Sequence, residues 1–337
     1  MDYMEGVKGE RTNSRATLTF HGGAGSVTGA NFLFETGQKK ILIDCGLIQG
    51  GHFSDPRNWD AFSYDPASID ALFVTHAHAD HIGRIPRLVA QGFRGPIYST
   101  PPTRDISAFM FEDALKVMHD ELSKRGGVPV PLYEDKDIAQ ALAQWQTATY
   151  HELINLGDVR AHFLDAGHIL GSSMVVFERG NRRVVFTGDL GNDNAPLARP
   201  TEALHDAHYL ITESVYGDRN HEGVDTRREV LAEAIMRTQR KNGTLLIPAF
   251  SLERTQILLY EIGSLLEERK IKPIHVFLDA PLAIRALDVY HRYPEYLSDA
   301  AQNKLKEGDL FSFKGLIVTE SARESRAIYD SPNPKVI

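Results

Sequence analysis

The sequence predicts an α/β protein with two domains, a sheet-rich α/β domain over residues 1–208 and an α/β domain with a parallel sheet over residues 209–337. The chain has 337 residues, about twice the length of a typical domain. Short β-rich runs dominate its first two thirds, and after about Glu213 helical and strand-like runs alternate strictly. Such alternation is typical of parallel strands joined by crossover helices.

In the first domain, strands are predicted where short apolar runs are bounded by Gly, Asp or Pro, and helices where apolar residues recur at helical spacing. A hairpin turn is predicted at Gly37, Gln38 and Lys39. The predicted helices are 82–91, 103–124 and 137–145. The predicted strands are 16–20, 31–35, 40–44, 71–75, 159–164, 174–178, 183–187 and, at the domain boundary, 209–212.

The second domain alternates between helices and buried strands. In chain order, the prediction is helix 225–240, strand 244–248, helix 252–268, strand 274–278, helix 282–291 and strand 315–319. Residues 331–334 predict a turn, and residues 335–337 look like the start of another strand. We therefore expect the sequence to be a C-terminally truncated piece of a longer protein.

Composition restricts the kinds of site that the chain can carry. Cys45 is the only cysteine, which excludes an intrachain disulfide and a zinc site built from several thiolates. No apolar run approaches the ~18 residues of a membrane-spanning helix, and the N-terminus lacks the apolar core of a signal peptide. We expect a cytoplasmic protein with no membrane partner. The net charge of -8 argues against a wholly basic surface but allows a local basic groove, so it leaves the substrate open.

A cluster of potential metal ligands follows the predicted strand 71–75. His76, His78, Asp80 and His81 stand within six residues, ahead of a helix predicted to begin near Ile82. The spacing of His76 and His78 allows both imidazoles to reach one ion, while Asp80 and His81 turn toward another. Imidazole and carboxylate are ligands that suit zinc. The alternative, a polar loop with solvated histidines, is disfavoured by this density in a chain with 14 His.

Three further polar residues stand where predicted strands end. His168 and Asp189 each lie beside glycines, and either one alone would be interpreted as a turn or cap residue. Together with the histidine cluster, they are predicted to be metal ligands. Asp44 also ends a strand, and we expect it to support the ligand loop by hydrogen bonding rather than to bind metal itself.

The motifs HAHADH, AGHILGS, FTGDLG and LIDCG resemble, in order and spacing, the signature of the metallo-β-lactamase fold. The segment around Glu213, TESVYGD, resembles motif A of the β-CASP subgroup, and Ile247 to Gln256 resembles the segment that opens a helix in that subgroup. The runs GGAGSVTG and DCGLIQG look like its RNA-processing branch. The resemblance covers nearly the whole chain. It implies an αββα sandwich with an inserted β-CASP domain, whose C-terminal return segment would lie beyond Ile337.

The resemblance also implies a site with two zinc ions. His76, His78 and His168 would hold one ion, Asp80 and His81 the other, and Asp189 would bridge them. Asp80, Asp189 and Glu213 would be the catalytic residues, with Glu213 orienting the ligands. The second zinc is expected to bind weakly, because the histidines of the family's motifs B and C would also lie beyond Ile337.

Substrate contacts are predicted at the start of the helix 252–268. Ser251 and Arg254 would bind phosphate there, and the alternative is an ordinary N-cap with a solvated arginine. Glu253 stands where relatives usually have glycine, which adds negative charge beside this helix start.

The function that the resemblance implies is a zinc-dependent ribonuclease acting on single-stranded RNA, as an endonuclease or also as a 5′–3′ exonuclease, with weak or no activity in the truncated chain. One alternative is a small-substrate hydrolase of thioesters, lactones or lactams, which the Glu213 and Pro248 to Gln256 segments disfavour. Another is a catalytically impaired RNA-binding homologue, which the intact HAHADH run disfavours. DNA as substrate and a homodimer are left open.

Overall fold

Two stacked sheets form the first domain in the computed structural model, which describes residues 15–50, 55–125, 130–192, 195–220 and 226–337. The first sheet has the strand order β1 (Thr17–Gly22), β2 (Asn31–Glu35), β3 (Lys40–Ile43), β4 (Ala71–Phe73), β5 (Ile97–Ser99) and β6 (Trp145–Thr147). Pairing is antiparallel from β1 to β3 and parallel from β3 to β6. The predicted hairpin turn joins β2 to β3, and the Thr36 N–H donates to the Lys39 carbonyl.

The second sheet contains five strands. Its order is β11 (Tyr209–Ile211), β10 (Arg182–Phe186), β9 (Ser173–Arg179), β8 (Arg160–Asp165) and β7 (Ile154–Asn155). β11 pairs in parallel with β10, so by hydrogen bonding it belongs to this sheet. The boundary predicted after residue 208 put β11 in the second domain, although the strict alternation of helices and strands begins only after about Glu213.

Successive side chains along a strand point to opposite faces of the sheet, so the apolar side chains form two separate layers. Ile43 and Phe73 point into the core between the sheets, where they meet Phe163 and Phe177, whereas Leu72 points to the outer side of the first sheet. That outer side is covered by the helices α1 (Ala79–Ile82), α2 (Ile85–Ala90), α3 (Pro101–Arg125) and α4 (Asp135–Ala143). On the outer side of the second sheet, Leu190 and Leu204 pack against a smaller apolar cluster.

The second domain contains the predicted parallel sheet. The sheet has the order β12 (Thr244–Leu245), β15 (Lys335–Val336), β13 (His275–Leu278) and β14 (Leu316–Val318), with parallel pairing throughout. The expected start of a strand at residues 335–337 is thus β15, which lies between two neighbours. The helices are α5 (Arg227–Lys241), α6 (Arg254–Glu267), α7 (Pro281–Arg292), α8 (Asp299–Glu307) and α9 (Ala322–Ala327).

Several predicted boundaries were wrong. The helix predicted over residues 82–91 is two helices, because α1 ends at Ile82, with Gly83 as its C-cap, and Pro86 lies in the first turn of α2. Asp80 and His81 consequently lie within α1 and not in a loop ahead of a helix. The elements β5, β6, β7, α8 and α9 were not predicted. Residues 1–14 and residue 225, the predicted start of a helix, lie outside the described residues.

Hydrogen bonds between α3 and the residues of α7 and its C-cap join the two domains. Arg285 donates to Glu112 over 2.8 Å, and Asp105 accepts hydrogen bonds from Arg292 and from the Tyr293 hydroxyl. Apolar side chains from both domains also share one buried cluster. In the part of the chain that the structure describes, no helix has both the length and the apolar character needed to cross a membrane.

We predict that Phe73→Ala destabilises the first domain strongly. The Phe73 ring is fully buried and lies 5.0 Å from the rings of Tyr98 and Phe177, measured between centroids. Its removal leaves a cavity between the sheets and is expected to lower the free energy of unfolding by about 3–5 kcal/mol. Urea unfolding of metal-free protein measures the change. Tyr329→Ala, which removes an 88% exposed ring, is the control, and a loss no larger than that of the control would contradict the packing.

Candidate metal centre

The predicted ligands and the supporting Asp44 come together at one edge of the two sheets. Asp44 follows β3, His76 and His78 follow β4, His168 follows β8, and Asp189 follows β10. Loops at strand ends can present polar groups because the sheets beneath them are rigid and apolar. The six residues predicted as metal ligands, His76, His78, Asp80, His81, His168 and Asp189, lie together around one centre.

Four of these residues form a first group that fits one metal ion. Nδ1 of His78 lies 3.1 Å from Nε2 of His76 and 3.1 Å from Nε2 of His168. Oδ2 of Asp189 lies 3.7 Å from Nε2 of both His76 and His168. Ligand atoms around a tetrahedral zinc are spaced by about 3.3 Å, which follows from zinc–nitrogen distances of about 2.0–2.1 Å. Three imidazole nitrogens and one carboxylate oxygen, all within 4.8 Å of one another, could therefore hold one metal ion.

The charge states of the first group also suit a metal. Burial lowers the pKa of His76, His78 and His168, and the neighbouring histidines lower it further; the pKa of His78 falls to about 3. These imidazoles are therefore neutral at pH 7 and have a lone pair to offer, as metal ligands must. Burial opposes ionisation of Asp189, but its hydrogen bond to His81 and the other histidines outweigh burial and lower its pKa to about 2.

A second group shares Asp189 with the first. Nε2 of His81 lies 3.2 Å from Oδ1 of Asp189 and 4.0 Å from Oδ2 of Asp80. Asp189 thus turns one carboxylate oxygen to each group, the arrangement that a bridging ligand needs. Nδ1 of His81 lies 2.7 Å from Oδ2 of Asp44. Burial lowers the pKa of His81, but Asp44 and Asp189 outweigh burial and raise it well above its usual value.

Asp44 and Glu213 contact the segments that carry the ligands. Asp44 is fully buried and accepts hydrogen bonds of 2.8 Å from the backbone N–H and the hydroxyl of Thr75, the residue before His76. Oε1 of Glu213 accepts the backbone N–H of Leu190, the residue after Asp189, over 2.9 Å. Both carboxylates line a cavity of about 500 Å³ beside the second group.

The predicted phosphate-binding residues lie at the start of α6, which begins at Arg254 rather than at residue 252. Glu253 is the N-cap residue, so Ser251 is not the cap that the alternative interpretation supposed. The side chain of Arg254 is exposed. Among the described residues, no hydrogen bond or ion pair joins Ser251 or Arg254 to the six ligands.

Two glycines, to which the sequence analysis assigned no role, let the backbone pack closely against the segments that carry the ligands. A Cβ atom at Gly46 would lie 1.5 Å from the backbone oxygen of Asp80, and a Cβ atom at Gly191 would lie 1.7 Å from the backbone oxygen of Gly167. Only glycine permits such an approach. The signal in the sequence was a glycine within each of the motifs LIDCG and FTGDLG, whose contact partners are distant along the chain.

We predict that Gly191→Ala weakens metal binding by about 10-fold or more, because the added methyl group must displace the backbone before His168. Metal analysis after dialysis against a competing chelator measures the effect. Gly243→Ala is the matched control, since a Cβ atom there meets nothing within 4 Å. Equal metal retention by the two variants would contradict the role of this backbone contact.

Glu253 does not point its charge toward a phosphate. Its Oε2 accepts the hydroxyl of Tyr290, and its Oε1 is buried without a hydrogen-bond partner. Burial raises the pKa of Glu253 to about 7, against the lowering effects of the Tyr290 hydrogen bond and the Arg254 charge. The expected negative charge beside the helix start is therefore turned inward, and protonation neutralises part of it at pH 7.

We predict that Glu253 makes the stability of the protein depend on pH. The folded-state pKa of Glu253 is about 7, above the ordinary value of 4.5. Its contribution to the free energy of unfolding is therefore complete below about pH 4.5 and is lost as the pH rises through 7. Between pH 5 and pH 8, the wild type should lose on the order of 2 kcal/mol more unfolding free energy than Glu253→Gln. Urea unfolding of both proteins at each pH tests this, and parallel pH profiles would refute it.

Two family models match the chain. The metallo-beta-lactamase superfamily matches residues 25–220, and the Beta-Casp domain matches residues 255–337. A solved structure from Enterococcus faecalis, described as a protein of unknown function, has a similar fold, with a TM-score of 0.51 and 18% identity over 82% of this chain and 68% of the other.

Curated relatives are similar over nearly the whole chain. Ribonuclease TTHA0252 of Thermus thermophilus is 35% identical over 94% of this chain and 70% of its own length. Transcription termination factor FttA of Methanosarcina mazei is 31% identical, over 95% of this chain and 50% of its own length. The FttA of Thermococcus kodakarensis is 33% identical, over 98% and 52%. The chain thus spans about half the length of these two relatives.

Proposed function

Because the chain belongs to the metallo-beta-lactamase superfamily and carries a Beta-Casp domain, we propose that it is a metal-dependent ribonuclease that hydrolyses phosphodiester bonds in single-stranded RNA. The observation that carries the proposal is the position of Asp189, whose two oxygens face two separate groups of ligands. The names of the relatives, a ribonuclease and transcription termination factors, support RNA as the substrate.

His76, His78 and His168 would hold one zinc ion and Asp80 and His81 would hold the other, with Asp189 between the two groups. Two such ions would activate water for attack and stabilise the charge that develops on a phosphodiester. The protein supplies the orientation: Asp44 holds Nδ1 of His81, which directs Nε2 toward the centre.

Glu213 contacts the backbone beside a ligand and not the ligand side chains themselves. Because it accepts the N–H of Leu190, it fixes the peptide that follows Asp189 and thereby the direction of both Asp189 oxygens. The cavity of about 500 Å³ beside Glu213 and His81 gives a substrate access to the second group.

The alternatives are less well supported. A thioester, lactone or lactam hydrolase does not need the second domain, whose helix α7 is joined to α3 by ion pairs. A catalytically impaired RNA-binding homologue does not need six converging ligands. The cytoplasmic location and the homodimer stay predictions.

Cleavage of a labelled single-stranded RNA tests the function. We expect activity that a chelator abolishes and zinc restores, and a loss on the order of 10²- to 10³-fold in rate for Asp80→Ala. Asp135→Ala, which removes an exposed carboxylate of α4, is the matched control and should retain the wild-type rate.

The same proteins are assayed on a thioester and a lactone. Hydrolysis of these substrates that depends on Asp80, without RNA cleavage, would move the function to the small-substrate class. RNA cleavage that survives Asp80→Ala would show that the activity comes from a contaminant. Activity restored by manganese but not by zinc would contradict the choice of metal.

A further inference from the structure

A groove lies at the amino ends of the parallel strands of the second domain. It is lined by His275, which begins β13, by Gly315, which precedes β14, and by Pro334, which precedes β15. Because these strands are parallel, their amino ends lie at one edge of the sheet. The groove consists of two open cavities of about 550 and 260 Å³, which share Pro273 and Pro334 and are therefore continuous.

The lining of this groove is basic. Five of its lining residues are Arg or Lys, and among the residues that the structure describes no Asp or Glu lines it. In the whole chain, acidic residues outnumber basic ones by 45 to 37, so the groove has the opposite charge to the protein that carries it. The five cationic side chains are all exposed, and they are Arg240, Arg269, Lys270, Lys272 and Lys314.

Most of these cations have no ionic partner. Lys270 forms an ion pair with Glu268 over 3.1 Å. Glu268 also pairs with Arg228, and the adjacent Glu267 pairs with Lys304, so both carboxylates at the end of α6 are already engaged. Within the described ranges, no ion pair or side-chain hydrogen bond involves the four remaining cations, which are Arg240, Arg269, Lys272 and Lys314.

Helix ends explain only part of this set of cations. Cationic side chains near the carboxyl end of a helix stabilise its negative terminus, and this accounts for Arg240 at the end of α5 and Arg269 just after α6. Lys272 and Lys314 lie in the connections before β13 and β14, outside the last turn of any described helix. Their position in the same groove is therefore better explained by a shared anionic ligand.

The backbone that presents the cations of the α6–β13 connection is held in place. The side-chain amide of Gln239, on α5, donates to the Lys272 carbonyl over 2.7 Å. The Lys270 N–H donates to the Leu265 carbonyl over 2.9 Å, and the side chain of Ile271 is buried beneath the connection. A ligand would therefore meet cations on a fixed backbone, which lowers the entropic cost of binding.

The groove is separate from the metal centre. Ser251 and Arg254 follow the carboxyl end of β12, whereas the groove lies at the amino ends of the strands. The 14 residues of α6 run from Arg254 to the groove, a length of about 21 Å at 1.5 Å per residue. None of the residues described in the groove also lines the cavity beside the metal ligands.

We propose that this groove is a second RNA-binding site, in which the four unpaired cations contact phosphate groups of the strand outside the metal centre. The proposal rests on the proposed function, since both sites take the same RNA. A single strand carries a negative charge at every nucleotide, so a strand that extends past the scissile bond matches a cationic groove. Two sites on one strand bind more tightly than either site alone, because the second contact is intramolecular.

Binding of a fluorescently labelled single-stranded RNA to the full chain tests the proposal, with a chelator present to prevent cleavage. The variant replaces Arg240, Lys272 and Lys314 by Gln. Each phosphate contact on a single strand contributes about 0.7 to the slope of log affinity against log salt concentration, so we expect the slope to fall in magnitude by about 2. At low salt the affinity should fall on the order of 10- to 100-fold.

Two control variants separate the groove from charge in general. The first replaces Lys116, Arg182 and Lys306 by Gln, which removes the same number of exposed cations elsewhere, and its RNA affinity should stay within about twofold of the wild type. The second keeps the charge of the groove, with Arg240→Lys, Lys272→Arg and Lys314→Arg, and should also bind like the wild type. All substituted side chains are exposed, so Tm should be unchanged in every variant.

Three outcomes would overturn the proposal: equal RNA affinity of the wild type and the groove variant, an equal loss in the first control variant, or a groove that binds polyglutamate but not RNA. The last would show a docking surface for an acidic protein. RNA cleavage by the wild type with no effect of the groove variant on binding would refute the groove alone. Groove-dependent binding without any cleavage would support the groove and refute the proposed function.

Discussion

The buried carboxylate of Asp44 is the constraint on which the metal centre depends. Asp44 is fully buried and has a φ of 57°, which is uncommon for a residue other than glycine. A buried carboxylate is costly unless donors surround it. Thr75 supplies two of these donors and His81 the third, so satisfying Asp44 fixes both ends of the HAHADH segment. The ligand side chains of this segment are thus held in defined directions.

The candidate ligands and most of the longer elements could be identified from the sequence because their signals are local. The histidine cluster occupies six consecutive residues, and strands such as Asn31–Glu35 and Arg160–Asp165 carry apolar runs bounded by turn residues. Even the brief β15 was indicated, because residues 335–337 look like the start of a strand. The resemblance of the motifs to a known family then supplied the arrangement of the two sheets, which no local pattern specifies.

The features of the fold and the site that were not predicted depend on contacts between residues that are distant in the sequence. Strands of two or three residues, such as Ile97–Ser99 and Ile154–Asn155, are too short to show a period and form because neighbouring strands pair with them. The close approach of Gly191 to Gly167 is likewise visible only in three dimensions. Glu253 was expected to present charge to a phosphate, but its carboxyl group meets Tyr290, which lies 37 residues further along the chain.

The contact between the domains combines two kinds of interaction with different consequences. Leu170, Leu252 and Tyr290 share one apolar cluster, and apolar packing alone tolerates small displacements between the surfaces. Hydrogen bonds do not tolerate such displacements, because a shifted donor leaves a buried group without a partner. The hydrogen bonds that Asp105 accepts from Arg292 and from the Tyr293 hydroxyl therefore give this general apolar contact one specific register. Because Asp105 lies on α3 and both donors lie at the end of α7, these two helices set the position of one domain against the other.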